Sequence, residues 1–341
     1  TIYFSTLSKI FSLPFVYFSH YLLNVLIIAF ATFFFTVKIY RSNLVGMLTT
    51  IVVLYGQKIT LGGNDLIGRD LDPSRPAFAL VIAAFVLIIN ARFLWGAFLF
   101  SLASYLHPLI GIEVPFIFYF SLFLSVFVKN NKQRIRAKNI FPIFKSLILY
   151  LVLSSISIFS YTFTFLSNQP YFSKSDLFEI VAKVVAPFHY TPSSWNTFDY
   201  LKFGILFWAF IFFFHYQSKI LSAYLRRLIG NTVTLIIFLC ALGFFFTDFI
   251  PVYFVMISQL FRLTVILYWF FAIFVYGGCF FMGLRYAKQN KLYIFIASVP
   301  FFLANIDFIS NPTKSLILYL VICLLFTFLI KIASKPWIKT F

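Results

Sequence analysis

The chain has 341 residues, of which 62% are hydrophobic and 11% are charged, and its formal net charge at pH 7 is +18. Soluble domains contain about 25% charged residues, so the composition excludes an ordinary soluble domain. The loops between the apolar segments are too short to form a surface that reads nucleic acid, so the basic charge does not indicate nucleic-acid binding. The three cysteines, Cys240, Cys279 and Cys323, lie far apart in apolar segments and indicate neither a disulfide framework nor a metal site.

Apolar segments that could form membrane helices recur along the whole chain. They predict eleven spans, at about 14–36, 43–56, 77–90, 92–107, 108–128, 140–166, 200–216, 228–247, 262–284, 292–306 and 315–332. The second, third and tenth spans are shorter than the roughly 20 residues that a straight crossing requires. We predict an all-α polytopic transmembrane helical bundle that forms a single domain over residues 1–341. Because the chain begins with Thr1 and not with Met, we expect an upstream span and first outer loop to be missing.

Charged residues predict the orientation, because the cytoplasmic loops of membrane proteins are enriched in Lys and Arg. Alternation over the predicted spans brings a large set of basic residues, and no acidic residue, to one side. That set comprises Lys38, Arg41, Arg92, the basic run at 129–138, Lys145, Lys219, Arg226, Arg227, Arg285, Lys288, Lys291, Lys331, Lys335 and Lys339. All nine acidic residues fall on the other side. We therefore predict an outer N-terminus, a cytoplasmic C-terminus and an extracytoplasmic polar site.

The first candidate on the outer side is the loop "GGNDLIGRDLDPSRP" at 62–76. The carboxylates of Asp65, Asp70 and Asp72 could bind a divalent cation through oxygen ligands, and Arg69 lies between them in sequence. The alternative is a solvated connection with internal Asp–Arg pairs. The sequence leaves open whether this loop binds a metal ion.

The second candidate is "SYLHPLIGIEVP" at 104–115. Pro108 suits the first position of a helix, where its missing N–H costs nothing. This places His107 at the mouth of the helix and Glu113 about 7 to 8 Å deeper. A carboxylate inside a span is costly and usually faces a cavity or a partner. The alternative for Glu113 is a structural role as a neutral or hydrogen-bonded side chain.

The third candidate is "FHYTPSSW" at 188–195. Its proline, serines and tryptophan are explained by a turn, a helix cap and a position at the membrane interface. His189 and Tyr190 are less well explained by structure alone, since histidine can shuttle a proton near neutral pH. We predict that the string is the rim of an outer cavity, with both side chains turned inward and His189 close to His107 or Arg262.

The fourth candidate is "ISQLFRLTVILYWF" at 257–270. Gln259 and Arg262 are three residues apart and are expected to share a face of one helix. Arg262 either extends to the membrane interface or clamps a phosphate with its planar guanidinium. The sequence contains no nucleophile elbow, phosphate-binding glycine loop or zinc-ligand spacing, so the residues alone leave open whether the protein is an enzyme.

The segment "GRDLDPSRPAFALVIAAFVLIINARFLWGAFLFSLASYLHPLIG" at 68–111, together with "FHYTPSSW" and "QLFR", resembles a group of uncharacterised bacterial multi-pass membrane proteins. Their architecture is similar to that of the GT-C superfamily of integral-membrane glycosyltransferases. The resemblance implies transfer of a sugar from a polyprenyl-phosphate donor at the extracytoplasmic face. The family's acidic hallmark lies in the first outer loop. We expect that loop, and with it the catalytic base, to lie upstream of Thr1.

The same resemblance implies roles for the outer residues. Arg262 would neutralise the phosphate leaving group, and His107 and His189 would line the sugar cavity. One or more of Asp65, Asp70 and Asp72 would hold a metal ion or sugar hydroxyls. Two other classes of function stay open: a transporter or flippase of an anionic lipid or sugar phosphate, and a non-catalytic subunit of a membrane assembly.

Overall fold

A computed structural model describes residues 9–56, 60–61, 63, 65–67, 72–127, 140–167, 173–185, 187–287, 289 and 292–304. These residues form helices joined by turns, and no β-strand occurs within those ranges. The all-α prediction is therefore confirmed for this part of the chain. The predicted span at 315–332, the basic run at 129–138 and the site candidates Arg69 and Asp70 lie outside the described residues.

The longer helices follow the apolar segments of the sequence. They are α1 (Leu13–Tyr40), α2 (Asn43–Tyr55), α3 (Ser74–Ile89), α4 (Phe93–Leu106), α5 (Pro108–Phe127), α6 (Ile140–Ser167), α9 (Thr197–Gln217), α10 (Ala223–Phe244), α12 (Thr264–Tyr286) and α13 (Leu292–Ala304). Three short helices lie between them, α7 (Lys174–Phe178), α8 (Pro187–Tyr190) and α11 (Tyr253–Ser258). Each of the first ten predicted spans overlaps one of the longer helices.

Within the described ranges, five stretches are long and apolar enough to cross a membrane, as expected for a membrane protein. They are Leu13–Tyr40, Pro108–Val126, Ile140–Phe163, Ala223–Phe249 and Tyr253–Tyr286. Helices α2, α3 and α4 are also apolar, but they have only 13, 16 and 14 residues. A helix rises 1.5 Å per residue, so none of these three spans a bilayer core of about 30 Å as a straight helix.

Contacts between residues divide the chain into two compact units. The first comprises Thr1–Ala31, Ile59–Gly204 and Leu221–Tyr268, and the second comprises Thr32–Lys58, Ile205–Ile220 and Trp269–Phe341. All the described site candidates belong to the first unit.

Hydroxyl groups join helices α4, α5 and α6 in the first unit. The Tyr150 hydroxyl donates a hydrogen bond to the Gly111 carbonyl at 2.7 Å, and the Ser157 hydroxyl donates to the Ser104 carbonyl at 2.6 Å. Small and hydroxyl-bearing residues commonly mediate helix contacts in membranes, because apolar packing alone provides little driving force there. Gly111 lies so close to α4 that a Cβ atom would sit 2.2 Å from the Ser104 Cα. This contact fixes the mouth of α5, where His107 lies.

The second unit is organised around the larger part of α12. Side chains from Trp269 to Phe280 are buried without interruption, as expected for a helix that is apolar on all sides. The Trp269 ring stacks on Phe35 with a centroid separation of 5.2 Å, and its indole N–H donates to the Thr32 hydroxyl at 3.0 Å. Gly277 provides the space that the Tyr40 ring occupies.

Candidate functional site

The helical segment that leads from α11 to α12 is broken at Gln259. Helix α11 ends at Ser258, Gln259 adopts a left-handed conformation with φ 50°, and a 3-10 turn covers Leu260–Leu263 before α12 begins. The prediction that Gln259 and Arg262 share a face of one continuous helix is therefore wrong. A non-glycine residue with positive φ is uncommon, and here it separates α11 from the turn that precedes α12.

Arg262 contacts His107, a residue from a distant part of the sequence. Its Nη1 atom donates a hydrogen bond to Nε2 of His107 over 2.6 Å, across 155 residues of sequence. The other guanidinium N–H groups make no hydrogen bond with the residues that the structure describes. Arginine carries five N–H donors, so most of them have no partner among the described residues.

His107 is held in its neutral form. Burial and the charge of Arg262 lower the pKa of His107 to about 4, although the charge of Asp72 opposes this shift. The backbone N–H of Ile110 also faces the ring, 3.5 Å from Nδ1. A second ring proton, on Nε2, would face the N–H of Arg262 and is therefore disfavoured. His107 therefore accepts a hydrogen bond from Arg262 and orients the guanidinium.

Asp72 supplies a negative charge near this pair. Its carboxylate accepts hydrogen bonds from the Ser74 backbone N–H at 2.9 Å and from the Ser74 hydroxyl at 2.6 Å. Burial opposes ionisation of Asp72, but these two hydrogen bonds and the charge of Arg262 lower the pKa of its carboxyl below the usual value. Asp72 therefore stays ionised, caps the start of α3 and acts electrostatically on Arg262.

Glu113 is the second carboxylate in the electrostatic field of Arg262. It lies on α5, within a stretch long enough to span a membrane, and it is partly buried. Glu113 also interacts electrostatically with Tyr161 and Cys240. The site therefore collects one cation, one neutral histidine and two carboxylates from three places in the sequence.

The segment Pro187–Trp195, which we call the rim loop, docks beside this cluster. The amide Nε2 of Gln259 contacts the Tyr190 hydroxyl, so Tyr190 reaches the residue that precedes the Arg262 turn. The His189 ring packs edge-on against Tyr190, with a centroid separation of 6.4 Å. In this arrangement Tyr190 makes the contact with the 259–263 turn. The expectation that His189 lies near His107 or Arg262 stays a prediction.

The rim loop is also held by Asp248. One carboxylate oxygen accepts from the Ser193 backbone N–H at 2.9 Å, and the other accepts from the Ser193 hydroxyl at 3.0 Å. The Trp195 ring meets Phe261 edge-on at 4.8 Å. The sequence placed Asp248 on the outer side but assigned it no role, because nothing local links residues 193 and 248.

The carboxylates of the 62–76 loop are not gathered into a metal centre in the described residues. Asp65 forms an ion pair with Arg75 at 3.5 Å, as in the alternative of a solvated Asp–Arg connection. No group of three or more His, Cys, Asp or Glu side chains that could hold a metal ion occurs among the residues that the structure describes. Arg69 and Asp70 lie outside them, so the hypothesis that Asp65, Asp70 and Asp72 bind a metal ion stays a prediction.

A buried polar pair in α1 escaped the sequence analysis. The Asn24 amide lies 3.2 Å from Nε2 of His20, and both side chains are buried. Their four-residue spacing puts them on one helix face. This four-residue spacing could have indicated the pair from sequence, but both residues lie within an apolar segment that was interpreted only as a span.

We expect removal of the Asp248 carboxylate to loosen the rim loop. Asp248→Ala deletes both acceptors of Ser193, and a loss of about 1 kcal/mol corresponds to a roughly fivefold larger open population. Limited proteolysis of the purified protein should therefore cleave within residues 187–195 about five times faster. Asp176→Ala, at another exposed acidic residue, is the matched control. Equal cleavage rates in all three proteins would contradict the docking role.

The protein should become less stable as the pH is lowered, because of His107. The ordinary histidine pKa of 6.5 applies to the unfolded chain, whereas the folded value is about 4. Between these values the unfolded chain binds a proton that the folded chain does not, so acidification favours unfolding. The loss between pH 7 and pH 5 is at most about 2 kcal/mol. Thermal unfolding in detergent should show a smaller loss in His107→Gln, and identical pH profiles would refute this prediction.

Comparison of the chain with protein-family models, with curated proteins and with solved structures found no match in any of the three.

Proposed function

We propose that this membrane protein binds the phosphate of a lipid carrier at Arg262 and acts as a GT-C-like glycosyltransferase with a polyprenyl-phosphate-linked sugar as donor. The observation that carries the proposal is the guanidinium of Arg262, which His107 orients at 2.6 Å while its other donors remain unbonded among the described residues. A planar guanidinium matches the oxygens of a phosphate with two parallel hydrogen bonds.

The chemistry follows from this placement. In the transfer step, the acceptor hydroxyl oxygen forms a bond to the anomeric carbon of the sugar, and the bond from that carbon to the phosphate oxygen breaks. The leaving phosphate gains negative charge, which Arg262 would stabilise. A carboxylate takes the proton of the acceptor hydroxyl. Asp72 and Glu113 are the described carboxylates in the field of Arg262, and they are candidates for this role.

We place the reaction at the extracytoplasmic face of the bacterial inner membrane, in an eleven-span topology with an outer N-terminus. The hydrogen bond between His107 and Arg262 supports this, since the basic-loop pattern assigns both residues to one side.

Labelling of single cysteines tests the topology. Cysteines placed at Asn131 and Asn290, which lie outside the described residues, should resist a membrane-impermeant thiol reagent in intact cells. A cysteine at Ser175 should react, because it lies on the predicted outer side. Labelling at Asn131 in intact cells would overturn the orientation.

Transport of an anionic lipid is the second candidate, and the interruption of the helix at Gln259 favours it. Transporters often bind substrate at discontinuous helices, and here the break between α11 and α12 adjoins Arg262. Both candidates require a phosphate-bearing lipid at the same guanidinium, so binding alone does not distinguish them.

The test is a two-part assay on the purified protein. Thermal stabilisation by a polyprenyl phosphate, compared with the polyprenol that lacks the phosphate, measures phosphate-dependent binding. Release of polyprenyl phosphate from a polyprenyl-phosphate sugar, with water or a sugar acceptor present, measures transfer. Binding with release supports the transferase. Binding without release, together with movement of the lipid between leaflets in vesicles, supports transport. Equal stabilisation by both lipids would overturn the phosphate site.

A further inference from the structure

The segment Lys174–Val185 was not among the spans predicted from sequence, because it carries several charged residues. In the structure it forms α7 and a π-helix, Glu179–Val185. Its inner side is packed: Phe178 and Ala182 form a buried cluster with Met256 of α11. Met256 belongs to Tyr253–Tyr286, a stretch that is long and apolar enough to cross a membrane. The segment therefore lies level with the first turns of that stretch.

The opposite side of this assembly exposes large apolar side chains, which we call the apolar rim. Val184 is 76% exposed, Val185 66%, Phe249 65% and Phe254 64%. Ile180 and Ile250 are also exposed. Helix α11, which carries Phe254, contacts both α7 and the π-helical turn Phe245–Phe249, so these exposed side chains lie on neighbouring elements. Apolar surface that gathers in this way marks contact with a partner or a membrane, since exposure to water costs about 25 cal/mol for each Å² of apolar area.

We infer that the apolar rim is a membrane-contact surface that sits in the interfacial region of the lipid bilayer. Continuity with the spanning stretches argues for lipid. Phe249 is the last residue of the candidate span Ala223–Phe249, and Phe254 is the second residue of Tyr253–Tyr286. The span Ala223–Phe249 exposes Phe238 and Phe245, and this exposed side continues to Phe249 in the apolar rim. Because the apolar rim continues the exposed sides of two candidate spans, we expect it to contact lipid as they do.

The charges of the segment fit an interfacial position. Lys183 and Glu179 form an ion pair at 2.7 Å, four residues apart in sequence. A pair that neutralises itself costs less near the hydrocarbon than two separate charges. The segment thus combines an apolar exposed side with a compensated polar one, as interfacial helices do. This inference is independent of the transferase proposal, because it concerns where the rim lies and not what Arg262 binds.

Nitroxide accessibility tests the rim in the full chain, reconstituted into vesicles of phosphatidylethanolamine and phosphatidylglycerol. Val184→Cys and Phe254→Cys carry the label on the rim, and Ser175→Cys carries it on an exposed polar position of the same segment. Since Val184 and Phe254 are largely exposed, neither substitution removes core packing. The unsubstituted chain serves as the labelling blank for its native cysteines.

Collision rates with oxygen, which partitions into lipid, and with a water-soluble nickel chelate give the result. We expect labels at 184 and 254 to collide several-fold more with oxygen relative to the chelate than the label at 175 does. Equal ratios at all three positions would place the rim in water and overturn the inference. Labels at 184 and 254 that neither reagent reaches would also overturn it, because they would show that a protein partner or a second copy covers the surface.

Discussion

Arg262→Lys should weaken binding of polyprenyl phosphate by about 10- to 100-fold. Lysine keeps the positive charge but loses the planar fork that forms two parallel hydrogen bonds to a phosphate, and charge-assisted hydrogen bonds contribute roughly 1.5–3 kcal/mol. It also loses the geometry of the contact with His107. The measurement is the stabilisation titration with polyprenyl phosphate on purified protein, together with an expression and thermal-unfolding check of folding.

The matched control is Arg226→Lys, at an exposed arginine on α10 that the basic-residue pattern assigns to the cytoplasmic side. This variant should bind the lipid as the native chain does. If Arg262→Lys also retains native affinity, Arg262 extends to the interface without clamping a phosphate, and the main support for a phosphate-bearing ligand is lost.

Gly111→Ala should produce the largest loss of stability among single-methyl changes in the first unit. A Cβ atom at residue 111 would lie 2.2 Å from both Cα and N of Ser104. These are backbone atoms, so relief requires α4 and α5 to separate. Overpacking in a close-packed interior costs about 1–3 kcal/mol, and a backbone clash this short places the change at or above the upper end. Thermal unfolding in detergent measures it.

Gly204→Ala provides the comparison, because no atom lies within 4 Å of a Cβ built at that glycine of α9. Replacing a helical glycine by alanine in open space stabilises by up to about 1 kcal/mol. The two substitutions should therefore shift the unfolding temperature in opposite directions. A native unfolding temperature for Gly111→Ala would show that the close approach of α4 and α5 is not required.

Hydropathy predicted the positions of the longer helices, and the charge pattern grouped several residues that meet in the site. The apolar segments located the helices because each must bury or face lipid along its length. The basic-loop pattern assigned His107, Arg262, Gln259 and Tyr190 to one side. In the structure His107 contacts Arg262, and Tyr190 contacts Gln259. Residues that share one end of a bundle have few other polar groups to meet, so a shared side restricts the possible pairs.

The remaining features depend on information that local sequence does not contain. The break at Gln259 occurs without glycine or proline, so no residue there marks it. The bond from Ser193 to Asp248 joins positions 55 residues apart. Helix α3 begins at Ser74, earlier than the predicted span at 77, because Asp72 caps its first turn through Ser74. Asp72 lies in a loop that the sequence analysis considered as a metal site or as a solvated connection, and neither interpretation includes a helix cap.

The residues of the site are far apart in sequence, so they are synthesised and inserted at different times. Asp72, His107 and Glu113 are synthesised and inserted well before Arg262, which pairs with His107 across 155 residues. Thr264, beside it, meets Thr60 across 204 residues. A growing chain therefore contains Asp72 and Glu113 before the cation that acts on both exists. The positive charge of the cluster is added only when the region around residue 262 has been inserted. A ribosome-bound intermediate that is stopped earlier is expected to hold α3, α4 and α5 less firmly than the finished protein does.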